Sequence, residues 1–591
     1  MSYYYTDEIN AQIVLSALKE MNIKKIVVSP GNTNIPISEG VQFDPFFEVY
    51  SSVDERSAAY LACGLSKESQ EPVALSCTGA TASRNYLPGL TEAFYRKLPI
   101  VAITSTNGNE NIGNLIAQNL DRNSIPNDVA KASFQLPVVK DENDFWYCKH
   151  LVNKAFLEIN SAGGGPVHIN LPTTYKGTYN TKELPHLNLA KKLDVETECP
   201  SIENYARIVV FVGSHQEFND EETQILSEFS KKFDVPILCD HTSNYRGVGR
   251  VTSALACSNA SKEHAINPIL SPELIIHIGE ISGDYATANF LENSEAVVWR
   301  VSSDGELRDR FKRIEYVFHC SEKKFFMKMI ESNVTKNDTF DYLSKWRNYL
   351  GNLRNSLPSL PFSNSYIAQY LSKVLPENSN INFGILNSLR SNNFFDYENN
   401  ITTDSNVGGF GIDGCLSTIV GSSLATPDKL HFLVIGDLAF FYDMNVLGNR
   451  HVKNNLRIIL VNNKGGAEFK NYSHSGAVFG EKTDEFIAAA NHFQGETLEK
   501  SPAKAWVTSL GYEYVSASNK EEFIDNIDKF LDHSKKSIIF ECFTNFESES
   551  ESLKIIDTLD IDFTVNGKIK NTLKKHLSNE TKDKLKKIIR K

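Results

Sequence analysis

The chain has 591 residues, of which 41% are hydrophobic and 23% charged, and its formal net charge is −12. A chain of this length is too long to fold around one hydrophobic core, and its length predicts about three domains. The acidic balance disfavours a nucleic-acid partner, and no apolar run reaches the length of about twenty residues that crosses a membrane. Nine single cysteines without a CxxC pair, and a first segment without a secretory pattern, predict a reducing cytoplasm.

Apolar runs alternate with helical patterns along most of the chain. This rhythm predicts an α/β protein whose parallel sheets are covered by helices on both faces. We predict one block over residues 1–185, a second over 201–352 and a third over 360–561. The charged segment 185–200 lacks periodicity, which predicts a linker.

The last segment, residues 562–591, is strongly basic and has leucines and isoleucines at helical spacing. Two interpretations of this tail stay open. It is either a solvated helix packed on its own chain, or a helix that contacts an anionic membrane surface or an acidic partner.

The most informative stretch runs from His431 to Lys470. An apolar run stops at Gly436-Asp437, and a second one, Leu456–Val461, stops at Asn462-Asn463. Between them, apolar residues at helical spacing predict a helix that contains Phe440, Phe441, Met444 and Leu447. Because the carboxyl ends of parallel strands share one edge of a sheet, we expect both polar pairs at that edge.

These pairs supply ligands for a hard cation. Asp437 offers a carboxylate, Asn463 an amide oxygen and Gly465 an unobstructed backbone carbonyl. Three oxygen ligands suit Mg²⁺, which completes its shell with phosphate oxygens and water. Either pair alone is more often a plain turn, but two such pairs, each closing a strand, favour a metal site.

The spacing of GD and NN resembles the signature of thiamine diphosphate (ThDP) enzymes. Further segments are similar to SEPHCHC synthase of the menaquinone pathway: SPGNTN at 29–34, DERSAAYLACGLSK at 54–67, CTGATASRNYLPGLTEA at 77–93, GPVHINLP at 165–172 and NVGGFGIDGCLST at 406–418. The resemblance implies three Rossmann-like domains. Block one would bind the pyrimidine, block two would form a middle domain, and block three would bind the diphosphate. It also implies a homodimer or homotetramer with active sites at the subunit interface.

Two residues would act in catalysis by this resemblance. Taken alone, a glutamate at position 55 is most often an acid at the start of a helix, where the helix dipole stabilises its negative charge. In the family, the matching glutamate contacts the aminopyrimidine ring of ThDP and promotes its imino tautomer, so we expect it to be largely buried. Gln118 would face the substrate side of the thiazolium.

The resemblance also implies a cofactor site. Asn387, Ser388 and Gly409 would contact the diphosphate, and Ile412 would be the apolar wedge under the cofactor. The full set of cofactor-binding residues would be Pro30, Glu55, Thr78, Asn387, Ser388, Gly409, Ile412, Gly436, Asp437, Leu438, Ala439, Asn463, Gly465, Gly466 and Phe469. Asp437, Asn463 and the Gly465 carbonyl would hold Mg²⁺.

The departures from the family concern its substrate side. Arginines of the family are replaced by Thr33, Val407 and Asn392. Acids are gained at Glu468 and at Asp284, where the family has a basic pair. Arginine pairs with carboxylates in bidentate fashion, so its loss predicts altered, less anionic substrates. The predicted substrate-side residues are Asn32, Thr33, Gln118, Asn392, Val407, Glu468 and His474.

The predicted activity is ThDP- and Mg²⁺-dependent decarboxylation of a 2-oxo acid, with transfer of the acyl carbanion to a carbonyl carbon or another electrophile. This would make the protein a transferase or lyase of the carboligase type. A sugar acceptor in surface-polysaccharide synthesis is one hypothesis. A simple decarboxylase, a non-catalytic ThDP-fold binding protein and an FAD-containing relative are alternatives.

Overall fold

The computed structural model describes residues 4–122, 124–174, 177–196, 198–262, 265–331, 341–495, 497, 500–532 and 536–560. The basic tail predicted at 562–591 lies outside these residues, so the contacts proposed for it stay a prediction. The chain divides into two compact units, one formed by residues 1–192 and 315–317 and the other by 193–314 and 318–591.

The first sheet has six strands in the order β2-β1-β3-β4-β6-β5, and all neighbours are parallel. Its strands are β1 (Lys25–Val28), β2 (Glu48–Ser51), β3 (Val73–Thr78), β4 (Ile100–Thr106), β5 (Ala132–Gln135) and β6 (Val167–Pro172). Its helices are α1 (Ile9–Glu20), α2 (Ile35–Phe43), α3 (Glu55–Ser69), α4 (Ala80–Asn85), α5 (Leu87–Tyr95) and α6 (Glu142–Glu158).

Both faces of this sheet are buried, and β4 shows how. Val101 and Ile103 pack into a core with α1 and α6, whereas Ile100 and Ala102 pack into a second core with α3 and α5. Alternation of this kind follows from the two-residue period of a strand. A strand that is apolar at every position therefore indicates a sheet covered on both sides.

The second sheet has seven strands in the order β10-β9-β8-β13-β14-β15-β7. The elements of this region are β7 (Lys191–Leu193), β8 (Ile208–Val212), β9 (Ile237–Cys239), β10 (Arg250–Thr252), the antiparallel pair β11 (Ser261–Lys262) and β12 (Ala265–Ile266), β13 (Leu274–Ile278), β14 (Val297–Ser302) and β15 (Ile314–His319). The helices are α7 (Asp220–Phe233), α8 (Ala254–Ala260), α9 (Tyr285–Glu292), α10 (Glu322–Glu331) and α11 (Tyr342–Ser356).

The third sheet has six parallel strands in the order β17-β16-β18-β19-β21-β20. They are β16 (Asn380–Phe383), β17 (Thr402–Ser405), β18 (His431–Gly436), β19 (Leu456–Asn462), β20 (Glu513–Ala517) and β21 (Ile538–Phe543). The helices are α12 (Asn364–Val374), α13 (Asn387–Asn393), α14 (Cys415–Ala425), α15 (Asp437–Asp443), α16 (Thr483–Phe486), α17 (Pro502–Ser509), α18 (Lys520–Leu531) and α19 (Phe546–Ile556).

Three sheets confirm the predicted α/β class, and two local expectations differ from the structure. The helix expected through Leu447 ends at Asp443 and continues as a 3₁₀ helix over Met444–Gly448. The segment 185–200, predicted as a linker, contributes β7 to the edge of the second sheet. The exact domain boundaries stay predictions, since the compact units place the second and third sheets together.

His241, which follows β9, links the second and third sheets within their unit. Its ring Nε2 lies 2.9 Å from the backbone oxygen of Asn392, and its backbone oxygen accepts a hydrogen bond from Thr403 Oγ1 at 2.7 Å. The ring packs between Phe383 and Tyr397. Burial lowers the pKa of His241 to about 4. The ring is therefore neutral at neutral pH, and it serves to pack the two sheets together.

Within the described residues, no helix has the length and apolar character needed to cross a membrane. All nine cysteines are free thiols, and eight of them are buried. The cytoplasmic location stays a prediction.

Candidate active site

The two polar pairs predicted from the sequence lie side by side in the third sheet. β18 ends at Gly436 and β19 at Asn462, and Gly436 is paired with Val461 in the register of the two strands. Asp437 therefore begins α15 next to the turn that follows Asn463. The backbone amide of Gly465 donates to Asp437 Oδ2 at 2.9 Å, which joins the two strand ends directly.

Asp437 is a buried carboxyl group whose pKa is raised to about 7. Burial is the main cause, and hydrogen bonds from the backbone amides of Leu438, Gly465 and Lys464 oppose it. The Leu438 amide lies 2.7 Å from Oδ1. Because a carboxylate has about four acceptor sites, these three bonds leave at least one site for a further ligand. A cation at this position would remove the cost of burying the negative charge.

A second buried acid, Glu549 on α19, lies at the same place and was not expected from the sequence. It accepts hydrogen bonds from Thr544 Oγ1 at 2.8 Å and from the Asn364 amide at 3.1 Å, and it also bonds the Asn463 side chain. Burial raises the pKa of Glu549 to about 7, and the charge of Asp437 raises it further. The Asn463 amide is thereby oriented by Glu549.

The oxygen atoms at this edge fit a magnesium ion. Asn463 Oδ1 is buried and has no hydrogen-bond partner, although buried polar atoms are normally paired. Gly465 has φ +150°, and a Cβ on it would lie 2.8 Å from the Ala488 carbonyl oxygen. Glycine is thus required at the residue whose carbonyl completes the predicted ligand set of Asp437, Asn463 and Gly465.

The described residues contain no cluster of three or more His, Cys, Asp or Glu side chains that would hold a metal. This finding is consistent with the predicted set, because only one of its three oxygens belongs to such a side chain. Amide and backbone oxygens are ordinary Mg²⁺ and Ca²⁺ ligands.

Two of the predicted diphosphate contacts follow β16, which pairs with β18, and the third follows β17. Asn387 begins α13 and is half-buried, and its Oδ1 accepts from Arg390 Nη1 at 3.3 Å. Ser388 is buried and donates to Asn364 Oδ1 at 3.3 Å. Gly409 is exposed, and a Cβ on it would meet nothing within 4 Å.

The remaining predicted cofactor-side residues of this unit differ in their exposure and contacts. Ile412 is half-buried against the core beneath α14 and α15, Leu438 is half-buried and Ala439 is buried. Gly466 is half-buried, and a Cβ on it would lie 3.0 Å from the ring of Phe469. The Phe469 ring meets His474 edge-on, with centroids 5.4 Å apart.

Two of the predicted substrate-side residues of the third block are buried in contacts with other parts of the same unit. Asn392 is fully buried, donates to the Ser388 carbonyl at 2.7 Å and accepts from Tyr397 Oη at 2.5 Å. Val407 is buried, and a Cβ on Gly283 would lie 3.0 Å from its Cγ1. Both side chains are thus almost completely excluded from solvent.

Glu468 is paired with an arginine that the sequence analysis overlooked. Arg390 Nη1 and Nη2 lie 2.6 and 2.7 Å from its two carboxylate oxygens, and Asn471 Nδ2 donates to it at 3.2 Å. The negative charge gained at Glu468 is therefore offset by the guanidinium of Arg390. Asp284 likewise caps α9, where it accepts from the Thr287 amide at 3.0 Å.

A cavity of about 230 Å³ lies beside this ion pair. Its walls combine hydrogen-bonding side chains with the paired charges, namely Ser258, Arg390, Asn393, Glu468, Asn471, Ser473 and His474. His474 Nδ1 accepts a hydrogen bond from the Gly476 amide at 2.9 Å, which leaves Nε2 as its second polar atom.

In the first unit, Glu55 begins α3 directly after the capping residue Asp54, whose carboxylate accepts from the Ser57 amide. The Glu55 side chain is half-buried in the single chain, and its Oε2 lies 3.5 Å from Asn85 Nδ2. Its burial is thus smaller than the sequence analysis expected. Gln118 lies in an exposed loop with φ +67°.

The segment after β1 lies against the end of β3. A Cβ on Gly31 would lie 2.5 Å from the Thr78 Cβ, so glycine permits this approach. Thr33 is buried, and its hydroxyl lies 2.5 Å from Thr78 Oγ1 and 2.6 Å from the Ser105 carbonyl oxygen. Pro30 and Asn32, on the same segment, are exposed.

Comparison with known proteins finds a family match in the first unit. Residues 10–128 match the family described as thiamine pyrophosphate enzyme, N-terminal TPP binding domain. The protein is therefore a thiamine diphosphate-dependent enzyme.

Three curated relatives are 2-succinyl-5-enolpyruvyl-6-hydroxy-3-cyclohexene-1-carboxylate synthases, abbreviated SEPHCHC synthases. The one from Bacteroides thetaiotaomicron is 30% identical over 565 residues, which cover 93% of this chain and 98% of that protein. Those from Bacteroides fragilis and Christiangramia forsetii are 28% and 29% identical, and the matches cover 93% and 92% of this chain and 98% and 97% of those proteins. The chain belongs to the SEPHCHC synthase family.

Proposed function

We propose that this protein decarboxylates a 2-oxo acid with ThDP and Mg²⁺ and joins the resulting acyl group to the carbonyl carbon of a second substrate. The observation that carries the proposal is the buried, unpartnered Asn463 Oδ1 beside Asp437, in a chain of the SEPHCHC synthase family. When bound, ThDP supplies carbanion chemistry at its thiazolium carbon.

The chain's own residues would divide the work. Asp437, Asn463 and the Gly465 carbonyl would hold Mg²⁺ beside the diphosphate. Glu55 would hold a proton against the aminopyrimidine, and Gln118 would contact the substrate. We also propose that these groups serve one cofactor in a homodimer or homotetramer. Exposed apolar side chains, among them Val478 and Phe486 at 76% and 86% exposure, support an interface.

We propose that the substrates differ from those of the SEPHCHC synthases. Thr33, Asn392 and Val407 stand where that family has arginines, and all three are buried in internal contacts. The polar cavity beside Arg390 and Glu468 supports an acceptor rich in hydroxyl groups, such as a sugar derivative in surface-polysaccharide synthesis. Neutral amides and hydroxyls recognise hydroxyl groups well, and a charge-neutralised pair adds both a donor and an acceptor.

A two-stage assay tests the proposal. The protein loaded with ThDP and Mg²⁺ is screened with 1-¹³C-labelled 2-oxo acids for release of ¹³CO₂, and active acids are then incubated with aldoses and ketoses. A new carbon–carbon bond in the product, seen by mass spectrometry and NMR, supports a carboligase. Release of CO₂ with only an aldehyde product would make the protein a simple decarboxylase.

Absence of CO₂ release together with normal ThDP binding would favour a non-catalytic binding protein. Asp437→Ala serves as the inactive control and Asp428→Ala, at an exposed position of the same unit, as the matched active one. An absorption spectrum of the purified protein tests the alternative with FAD, which would give a yellow chromophore.

A further inference from the structure

The first unit contains a buried arginine without an ionic partner. Arg122 is 6% exposed, and its Nη1 has no hydrogen-bond partner. Among the described residues, no carboxylate contributes to the pKa of Arg122; its titratable neighbours are Arg84 and the buried thiol of Cys77. A buried and unpaired guanidinium destabilises a fold, because its loss of hydration is not offset.

The guanidinium lies at the carboxyl end of the first sheet, beside a glycine. Arg122 Nη1, the Ser105 carbonyl oxygen and Thr106 Oγ1 surround the position that a Cβ on Gly79 would take, at 2.9, 3.1 and 3.3 Å. Gly79 follows β3, and Thr106 ends the neighbouring strand β4. Ligands of parallel α/β sheets bind at this end of the strands.

Two further polar atoms at the end of β4 are buried without partners, Ser105 Oγ and Asn107 Oδ1. The Arg122 backbone is anchored independently, because its carbonyl accepts from Asn170 Nδ2 at 3.2 Å. The position of the loop therefore does not depend on the guanidinium. Burial lowers the pKa of Arg122 to about 10, which still leaves the group charged at neutral pH.

We propose that Arg122 is a receptor for an oxyanion, and that a substrate reaching this end of the first sheet carries a carboxylate or phosphate group that pairs with it. The guanidinium offers planar, paired donors that match both groups. The proposal rests on the proposed function, because it names a group on a substrate of that same reaction. A sugar acceptor would accordingly be an acidic sugar or a sugar phosphate.

Anion binding can be measured without turnover. The full chain with ThDP and Mg²⁺ is titrated with sodium acetate, sodium methyl phosphate or sodium chloride at equal ionic strength, and Tm is recorded. We expect a saturable rise in Tm with acetate or methyl phosphate over chloride, and we expect Arg122→Gln to lose it. A response to acetate alone assigns a carboxylate, and a response to methyl phosphate alone assigns a phosphate.

The same experiment separates binding from a structural role. In chloride, Arg122→Gln should raise Tm by about 2 °C or more, because it removes an unpaired buried charge. Arg122→Lys should keep part of the anion response, and Arg96→Gln, at an exposed arginine directly after α5, should keep all of it. An anion response that is absent in the wild type, or equal in Arg122→Gln, would overturn the proposal.

Failure of the proposed function has a different signature. It would appear as absence of ¹³CO₂ release from every 2-oxo acid, whereas the Tm response concerns anion binding alone.

Discussion

Asp437 Oδ2 accepts a hydrogen bond from the backbone amide of Gly465 at 2.9 Å, so the ends of two neighbouring strands are fixed to each other before any ion binds. The contact orients the carboxylate and the turn that carries the other two oxygen ligands. Preorganisation of this kind lowers the entropy lost on binding. It also makes the site sensitive to small changes at either residue.

Replacement of the carboxylate should abolish the metal-dependent part of cofactor binding. Asp437→Ala removes one of three proposed protein ligands, and we expect the affinity for ThDP in the presence of Mg²⁺ to fall at least about 100-fold, the upper end of the effect of losing even an outer-shell partner. Calorimetry with and without Mg²⁺ measures this. Asp428→Ala is the matched control, and normal affinity in Asp437→Ala would refute the ligand assignment.

Cofactor affinity should depend on pH through Asp437. The pKa of its carboxyl is about 7 without metal, against an ordinary 3.8, and Mg²⁺ binds the deprotonated form. Below pH 7 the ion must displace a proton, so the apparent affinity should fall up to about tenfold per pH unit, and above pH 7 it should level off. Calorimetry from pH 5.5 to 8.5 in two buffers of different ionisation enthalpy measures the affinity and the proton release.

The stability of the metal-free protein should show the opposite trend. The raised pKa means that the folded state holds its proton while the unfolded state loses it, so Asp437 reduces stability as pH rises from about 4 to 7. Magnesium with ThDP should reverse this loss. The control for the affinity measurements is a separate titration of free ThDP. A cofactor affinity that does not change between pH 5.5 and 8.5 would contradict the predicted role of Asp437.

Glu55→Gln should separate binding from catalysis. The amide keeps the shape of the side chain but not its charge, so ThDP should still bind while exchange of the thiazolium C2 proton slows by about 10²–10⁴-fold, the usual contribution of a positioned acid or base. NMR of quenched exchange samples measures the rate. Glu68→Gln, at an exposed position of the same helix, should exchange normally, and unchanged exchange in Glu55→Gln would remove this residue from the mechanism.

The Arg390–Glu468 pair should contribute to stability and to specificity. The side chains are 26% and 17% exposed, so a double-mutant cycle with Arg390→Gln and Glu468→Gln should give a coupling energy of about 1–3 kcal/mol. Denaturant unfolding measures it. Glu468→Gln alone should also lower the KM of an anionic acceptor relative to a neutral one, because it releases the guanidinium. A coupling energy near zero would show that the pair is solvated.

Gly465→Ala should destabilise both the turn and the metal site. The residue has φ +150°, and its Cβ would lie 2.8 Å from the Ala488 carbonyl oxygen, so we expect a loss of about 1–3 kcal/mol and weaker Mg²⁺ binding. Gly421→Ala is an informative control, since this helical glycine has open space around its Cβ position and should gain about 0.5–1 kcal/mol. Equal stability of the two variants would contradict the strain argument.

Local sequence patterns were enough to predict the two strands that carry the candidate site. The apolar runs before Asp437 and Asn463 identified β18 and β19, because a buried parallel strand needs apolar residues on both faces. The 3₁₀ helix over Met444–Gly448 was not predicted. Over so short a segment, its apolar residues have the same spacing as those of an α-helix.

Contacts between distant segments escaped prediction for a different reason. Glu549 reaches Asn463 from a helix more than eighty positions further along the chain, and Arg390 meets Glu468 across 78 positions. No local pattern encodes either pairing, because each depends on how the helices pack on the sheet. The cation at Arg122 was missed similarly, since burial without a partner is a property of the folded chain alone.

The bond from His241 to Asn392 has a consequence for engineering. Asn392 belongs to the short helix whose first residues are assigned to the diphosphate, while His241 belongs to the preceding sheet. A chimaera that exchanges residues 201–352 for those of a relative would therefore misplace the helix assigned to the diphosphate unless it retains this histidine. Residues 201–352 cannot be exchanged independently of the third sheet and its helices.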